Sequence, residues 1–118
     1  MGDIGIRDDR AAGRLEALGD GGAVVGRIEY FVLGPPGSPE RALVPVHTIV
    51  EPAHEGQGIG GALARELYGT AAREGVFVVP LCPYVAGWAE RHPDDAPAAP
   101  PGLRPAAEEW LRAHPGRF

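Results

Sequence analysis

The amino-acid sequence predicts an α+β (mixed α/β) domain in which a three-stranded antiparallel meander is followed by a helix, a strand and a second helix. Three observations carry that prediction. Up to Val50 the β-branched and aromatic residues recur at strand spacing and are interrupted by Gly, Asp and Pro turns. After Gln57 the apolar period lengthens to that of a helix. The change falls on a glycine-dense stretch, Glu55-Gly56-Gln57-Gly58-Ile59-Gly60-Gly61. With 118 residues the chain has the size of one domain. It divides into a main unit over 1–93, a Pro/Ala-rich linker over 94–104 and a tail helix within 105–118.

Taken in order, residues 12–18 alternate loosely and form the first strand. They lead into Gly19-Asp20-Gly21-Gly22, whose Asp-Gly pair suits the positive φ angles of a tight hairpin turn. Residues 23–33 contain Val24, Val25, Ile28, Tyr30, Phe31 and Val32 and form the second strand. Residues 34–40 are a Pro/Gly loop and 42–50 the third strand. From 57 to 74, Ile59, Leu63, Leu67 and Ala71 recur every four residues along one helix face, and Gly75 stops the helix. Residues 76–81 are apolar on both faces and too short for a helix, which predicts a buried strand. Pro80 lacks a ladder donor, so pairing is expected to fail there and the sheet to splay. Pro83 suits the first turn of a second helix running to about Arg91, with Cys82 as its N-cap and His92-Pro93 as its stop. The prolines of 93–105 make a linker, and a short helix follows over 105–113. Trp88-x-x-x-His92-Pro93 and Trp110-x-x-x-His114-Pro115 are similar helix endings, each a cation followed by a proline stop.

Composition excludes several functions. All 11 cationic residues are Arg, so Schiff-base lysine chemistry and a Walker lysine are absent. The formal charge of −5 and the lack of an Arg run argue against a nucleic-acid partner. The single cysteine, Cys82, forms no intramolecular disulfide and fits a reducing cytoplasm. The four His residues show no zinc-ligand spacing with it, so no metal is expected. The charged start is not a signal peptide and no run is long enough to span a bilayer, so a soluble cytoplasmic protein with no membrane partner is expected.

The glycine stretch reads as an anion cradle. Glycines let the backbone bend and a phosphate approach its N–H groups, and the first turn of a helix supplies unpaired donors and the positive end of the dipole. The plainer reading is a loop that packs a helix close to a sheet. Gly56-x-Gly58-x-x-Gly61 has the letters of a dinucleotide motif, but the next strand ends in Leu81-Cys82 rather than in an acidic ribose ligand. A Walker loop fails for want of Lys. Glu55-Gly56-Gln57-Gly58-Ile59-Gly60 instead resembles the acyl-CoA loop of the GNAT superfamily, with Glu55 in place of the usual Arg or Gln.

His47-Thr48, that loop, Val79-Pro80-Leu81-Cys82-Pro83-Tyr84-Val85 and Arg91-His92-Pro93 together look like the small single-domain GNAT-like N-acetyltransferases. Relatives often carry His-Thr-Glu-Val in the third strand, where this chain has Ile49 in place of Glu. The resemblance implies an acyl-CoA N-acyltransferase fold with splayed strands. It implies acetyl-CoA as cosubstrate and a primary amine, on a small molecule or a polypeptide, as acceptor. Backbone N–H groups of Gln57, Gly58, Ile59, Gly60, Gly61 and Ala62 would hold the pyrophosphate, and a strand N–H near Val50 would polarise the thioester carbonyl.

Four side chains are candidates for catalysis, each with a structural alternative. Cys82 at a helix N-terminus is either an acetyl acceptor or acid/base, or an inert packed thiol. His47 is a base or a hydrogen-bonded structural residue. Glu51 either deprotonates the acceptor ammonium through water or is a solvated strand-end carboxylate. Tyr84 either protonates the leaving thiolate or packs at the rim. The alternative function is a non-catalytic CoA-binding or protein-interaction module that has lost the acid at Ile49.

Overall fold

The computed structural model describes residues 4–118, so the first three positions of the 1–93 unit lie outside the described residues. The described residues form a five-stranded sheet in the order β1 (Gly5–Asp9), β2 (Arg14–Leu18), β3 (Val24–Leu33), β4 (Ala42–Val50) and β5 (Phe77–Val78). The first four strands are antiparallel and β5 runs parallel to β4. Helices α1 (Ile59–Glu74) and α2 (Pro83–Arg91) lie on one face, and α3 (Leu103–Ala113) lies on the other.

The antiparallel part thus has four strands rather than three. β1 escapes hydrophobic patterning because Ile6, which packs against the core, is its only large apolar residue beside three charged ones. Register places Arg7, Glu16 and Arg27 in one cross-strand row, and Asp9, Arg14, Glu29 and His47 in the next. Opposite charges thus alternate along each row and between rows. The nearly buried Glu16 carboxylate accepts from Arg7 Nη2 at 2.7 Å. The β2–β3 connection is also longer than a two-residue hairpin. Asp20–Gly22 form a 3₁₀ turn with Gly21 and Gly22 at positive φ, and the Gly19 N–H donates to the Ala23 carbonyl.

The splay predicted from Pro80 is present, and the regular strand expected over 76–81 shrinks to Phe77–Val78. Only Ala42↔Phe77 and Leu43↔Val78 pair in register. Val79 N–H then reaches the Leu43 carbonyl at 3.0 Å. Leu81 and Cys82 N–H converge on the Pro45 carbonyl at 3.2 and 3.0 Å. Beyond Pro45, β4 keeps β3 on one side and loses β5 on the other. A bulge falls at the parting point: Tyr30 pairs with Pro45 but Glu29 with His47, leaving Val46 over.

Leu15, Ile28, Tyr30 and Leu43 pack beneath Ile59, Leu63, Leu67, Val85 and Trp88 from the two front helices. The first turn of α1 comes so near β3 that a Cβ on Gly26 would stand 2.9 Å from Ile59 Cγ2. On the back face, Leu103 and Ala107 are buried against Phe31, Val44 and Val79. The Phe31 ring stacks on Trp110 with centroids 3.9 Å apart. The tail helix begins at Leu103 instead of Pro105. Starting earlier brings Leu103 onto the same face as Ala107, and Pro105 stays within the first turn, where no N–H partner is lost. The two Trp-x-x-x-His endings share one geometry. His92 and His114 use Nδ1 to bond the carbonyl of the Trp four residues earlier, at 2.8 and 2.7 Å. Each imidazole stacks on that Trp ring.

Candidate active site

Where β4 outruns β5, a cleft of about 380 Å³ opens against the loop before α1. Thr48 and Val50 line it from β4, His54, Glu55, Gly56 and Gly58 from the loop, Ile59 and Gly60 from α1, and Tyr84 from α2. Strand geometry sets which backbone groups of β4 face it. Glu51 N–H donates to the Val25 carbonyl across β3, so by two-residue alternation Ile49 and His47 also face β3. Thr48 and Val50 therefore turn their N–H and C=O groups to the open edge. Their side chains lie on the α1 face, which leaves His47 and Ile49 exposed on the opposite face of the sheet.

The loop glycines fall into three kinds. Gly56 and Gly58 have φ of 81° and 78° with open space where a Cβ would go, so conformation alone requires glycine there. Gly60 is helical, but a Cβ would stand 2.7 Å from the Tyr84 hydroxyl. Gly61 has room for a methyl group, its nearest neighbour being Trp88 Nε1 at 3.6 Å. Gly58 is the N-cap of α1 and no side chain caps the helix. After Glu55, the first N–H along the chain with a backbone acceptor is that of Ala62, which reaches the Gly58 carbonyl at 3.0 Å. Ala62 therefore drops out of the cradle expected over 57–62, because an α-helix satisfies its own donors from the fifth residue onward. The N–H groups of Gln57, Gly58, Ile59, Gly60 and Gly61 have no protein acceptor among the described residues.

A diphosphate fits this arrangement: the donors are uncapped, the approach is free of Cβ atoms, and the helix dipole points its positive end outward. No lining residue is an arginine, and Glu55 adds a negative charge, so backbone donors would have to carry the neutralisation. His54 Nδ1 is buried in the cleft wall with no hydrogen-bond partner among the described residues. A buried polar atom without a partner is costly unless a ligand or water completes it. Sequence reasoning passed over His54, although it stands two residues before the first loop glycine.

Cys82 occupies the N-cap position of α2 without a side-chain cap hydrogen bond and is almost fully buried, one contact behind the cleft wall. Its Sγ lies 3.3 Å from Thr48 Oγ1, joining β4 to the start of α2. Thr48 has no counterpart among the expected site residues, and the proximity comes from the bulge that turns Thr48 toward α2. Glu51 follows β4 as an exposed residue that is not part of the cleft lining, and its carbonyl accepts from His54 N–H at 2.8 Å. Tyr84 is 43% exposed and lays its hydroxyl over Gly60. The structure thus gathers Cys82, Thr48, Val50, Tyr84 and the loop on one side and leaves His47 on the other. Among the described residues there is no cluster of three or more metal-ligating side chains, and no helix is long and apolar enough to cross a membrane.

A split sheet edge beside an uncapped, glycine-lined helix start defines a protein of the acyl-CoA N-acyltransferase fold. Residues 14–97 match the sequence profile described as GCN5-related N-acetyl-transferase, and the chain belongs to that family. Among solved structures it is similar to the ribosomal-protein-alanine N-acetyltransferase of Brucella melitensis biovar Abortus 2308. The identity is 29% and the TM-score 0.55, over 74% of this chain and 62% of that one. It also shares the fold of a Pyrococcus furiosus protein with an acetyl transferase assignment. That pair is 20% identical with a TM-score of 0.52, over 66% and 56% of the two chains. The chain spans less than two thirds of the length of these structures. No curated protein matches it.

Proposed function

We propose that this chain is an acetyl-CoA-dependent N-acetyltransferase that acetylates a primary amine. The observation that carries the reading is the uncapped start of α1 facing the gap where β4 leaves β5. When bound, acetyl-CoA supplies an acetyl group activated as a thioester. The N–H groups of Gln57 to Gly61 would hold its diphosphate. The open edge of β4 at Thr48 and Val50 would pair with its extended arm, and the Val50 N–H would hydrogen-bond the acyl carbonyl oxygen. Glu51, next in the chain after Val50, would take the ammonium proton of the acceptor through water. Tyr84, whose hydroxyl lies over Gly60 at the cleft, would return a proton to the departing thiolate. Cys82 serves either as an intermediate acetyl carrier or, through Thr48, as part of the wall that positions the groups. His47, on the far face of β4, would act only from outside the cleft.

Calorimetry with acetyl-CoA tests the cofactor site, with Gly58→Val as control. Binding by the native chain that disappears in the variant supports the reading, and no heat with the native chain overturns it. An amine panel, from small polyamines to peptides with free N-termini, then tests transfer. Cys82→Ala acetylating at the native rate would leave direct transfer only. Ile49, exposed on β4 where relatives carry Glu, favours a second reading, a CoA-binding module without transfer. Tight CoA binding with no acceptor in the panel would select it.

A further inference from the structure

Beyond the end of β2, the outer edge of β3 is uncovered. Tyr30 N–H donates to the Gly13 carbonyl at 2.9 Å, the last rung before the β1–β2 turn. Alternation along β3 turns the Val32 N–H to the same side, where β2 no longer reaches. A notch of about 290 Å³ occupies this place, lined by Val32 and by Arg10, Arg41, Trp110 and Arg117 among others.

The three guanidinium groups are not equivalent. Arg10 is spent: it makes a two-point pair with Glu74, touches Asp8 and donates to the Tyr30 hydroxyl. Arg41 and Arg117 have no carboxylate within ion-pair distance among the described residues, in a chain whose net charge is −5. Arg117 stands 5.6 Å from the centroid of the Trp110 ring. Both faces of that ring are taken, by Phe31 and by His114, each with centroids 3.9 Å away. No face is left for a nucleobase, so the notch suits a compact anion rather than a planar one. Guanidinium forks match tetrahedral oxyanions in geometry, and an outward strand N–H adds a neutral donor.

We propose that this notch is a second anion site, for a small phosphate-type oxyanion held by Arg41, Arg117 and the Val32 N–H. It lies at the start of β4, the opposite end from the acetyl-CoA cleft, and does not depend on the acetyltransferase reading. The two tryptophans give each site its own reporter: Trp110 lines the notch, and Trp88 Nε1 adjoins Gly61 at the cleft. The test is a titration of ¹⁵N-labelled protein with inorganic phosphate and with pyrophosphate, against sodium chloride at matched ionic strength, following the two indole N–H signals. Saturable movement of the Trp110 signal with phosphate but not chloride is expected. Affinity should fall roughly ten-fold or more in Arg41→Gln/Arg117→Gln, as loss of charge-assisted hydrogen bonds requires. The single variants serve if the double variant does not keep the native spectrum. A Trp110 signal that does not saturate, an equal response to chloride, or an unchanged affinity in the variants overturns the proposal. Movement of Trp88 alone also overturns it, because the cleft would then be taking the phosphate.

Discussion

Replacing Gly58 and Gly60 by alanine, one at a time, separates two physical reasons for glycine in one loop. At Gly58 the backbone is left-handed, with φ 78° and ψ 13°, and nothing lies within 4 Å of an added Cβ. The cost is therefore conformational, about 1–2 kcal/mol. At Gly60 the backbone is helical, and alanine gains up to about 1 kcal/mol of helix propensity. Its Cβ would meet Tyr84 at 2.7 Å from the hydroxyl oxygen, 2.8 Å from Cζ and 3.0 Å from Cε1. That ring is 43% exposed and can swing outward, so the gain and the lost contact nearly cancel. In a Tyr84→Ala background the clash is gone and the propensity gain remains. For a domain of this size about 1 kcal/mol moves Tm by roughly 4 °C. Thermal melts followed by circular dichroism should then show Gly58→Ala melting roughly 4–8 °C lower. Gly60→Ala should sit near the native Tm, and should raise it by roughly 4 °C once Tyr84 is truncated. Gly58→Ala melting with the native protein would refute the left-handed conformation. An identical effect of Gly60→Ala with and without Tyr84 would refute the contact over the cleft.

Trp110→Ala should destabilise the chain by about 3 kcal/mol, the low end for removing a large aromatic, since the ring is half-buried. Urea titration measures it, and a loss below about 1 kcal/mol would mean that α3 is not seated on Phe31. Stability should also fall at high pH. Burial pushes the Tyr68 phenol up to about 12, from an ordinary value near 10, so the folded state favours the neutral form. This contribution is whole below pH 10 and is lost as pH rises from 10 to about 12. Tyr30, raised by burial and its hydrogen bond to Asp8, adds to the fall and remains in a Tyr68→Phe variant. Urea midpoints from pH 9 to 12 should therefore drop less steeply in Tyr68→Phe, and an unchanged slope would remove the assignment.

The elements that could be read from the residues are those with a strong period or a strong punctuation mark. The stripe of Ile59, Leu63, Leu67 and Ala71 marked α1, and Pro80 marked the splay. β1 was invisible because Ile6 alone sets no alternation and Arg7 meets Glu16 only once β2 is paired alongside. Thr48 and His54 were missed for a related reason. Neither has a spacing of its own, and each joins the cleft through the path of the backbone, Thr48 by the bulge at Val46 and His54 by the 3₁₀ turn after Glu51.

Local chemistry alone determined where the chain bends, which segments are helical and that a helix opens on a glycine loop without a cationic side chain. Those features depend on φ preferences and on the spacing of apolar groups within a few residues. The facing of the loop toward a split sheet edge, the meeting of Thr48 with Cys82 and the separation of His47 from both were decided only in three dimensions. A strand turns successive side chains to opposite faces, and a single inserted residue reverses that order, so which face each group takes depends on a register that only the paired neighbour supplies.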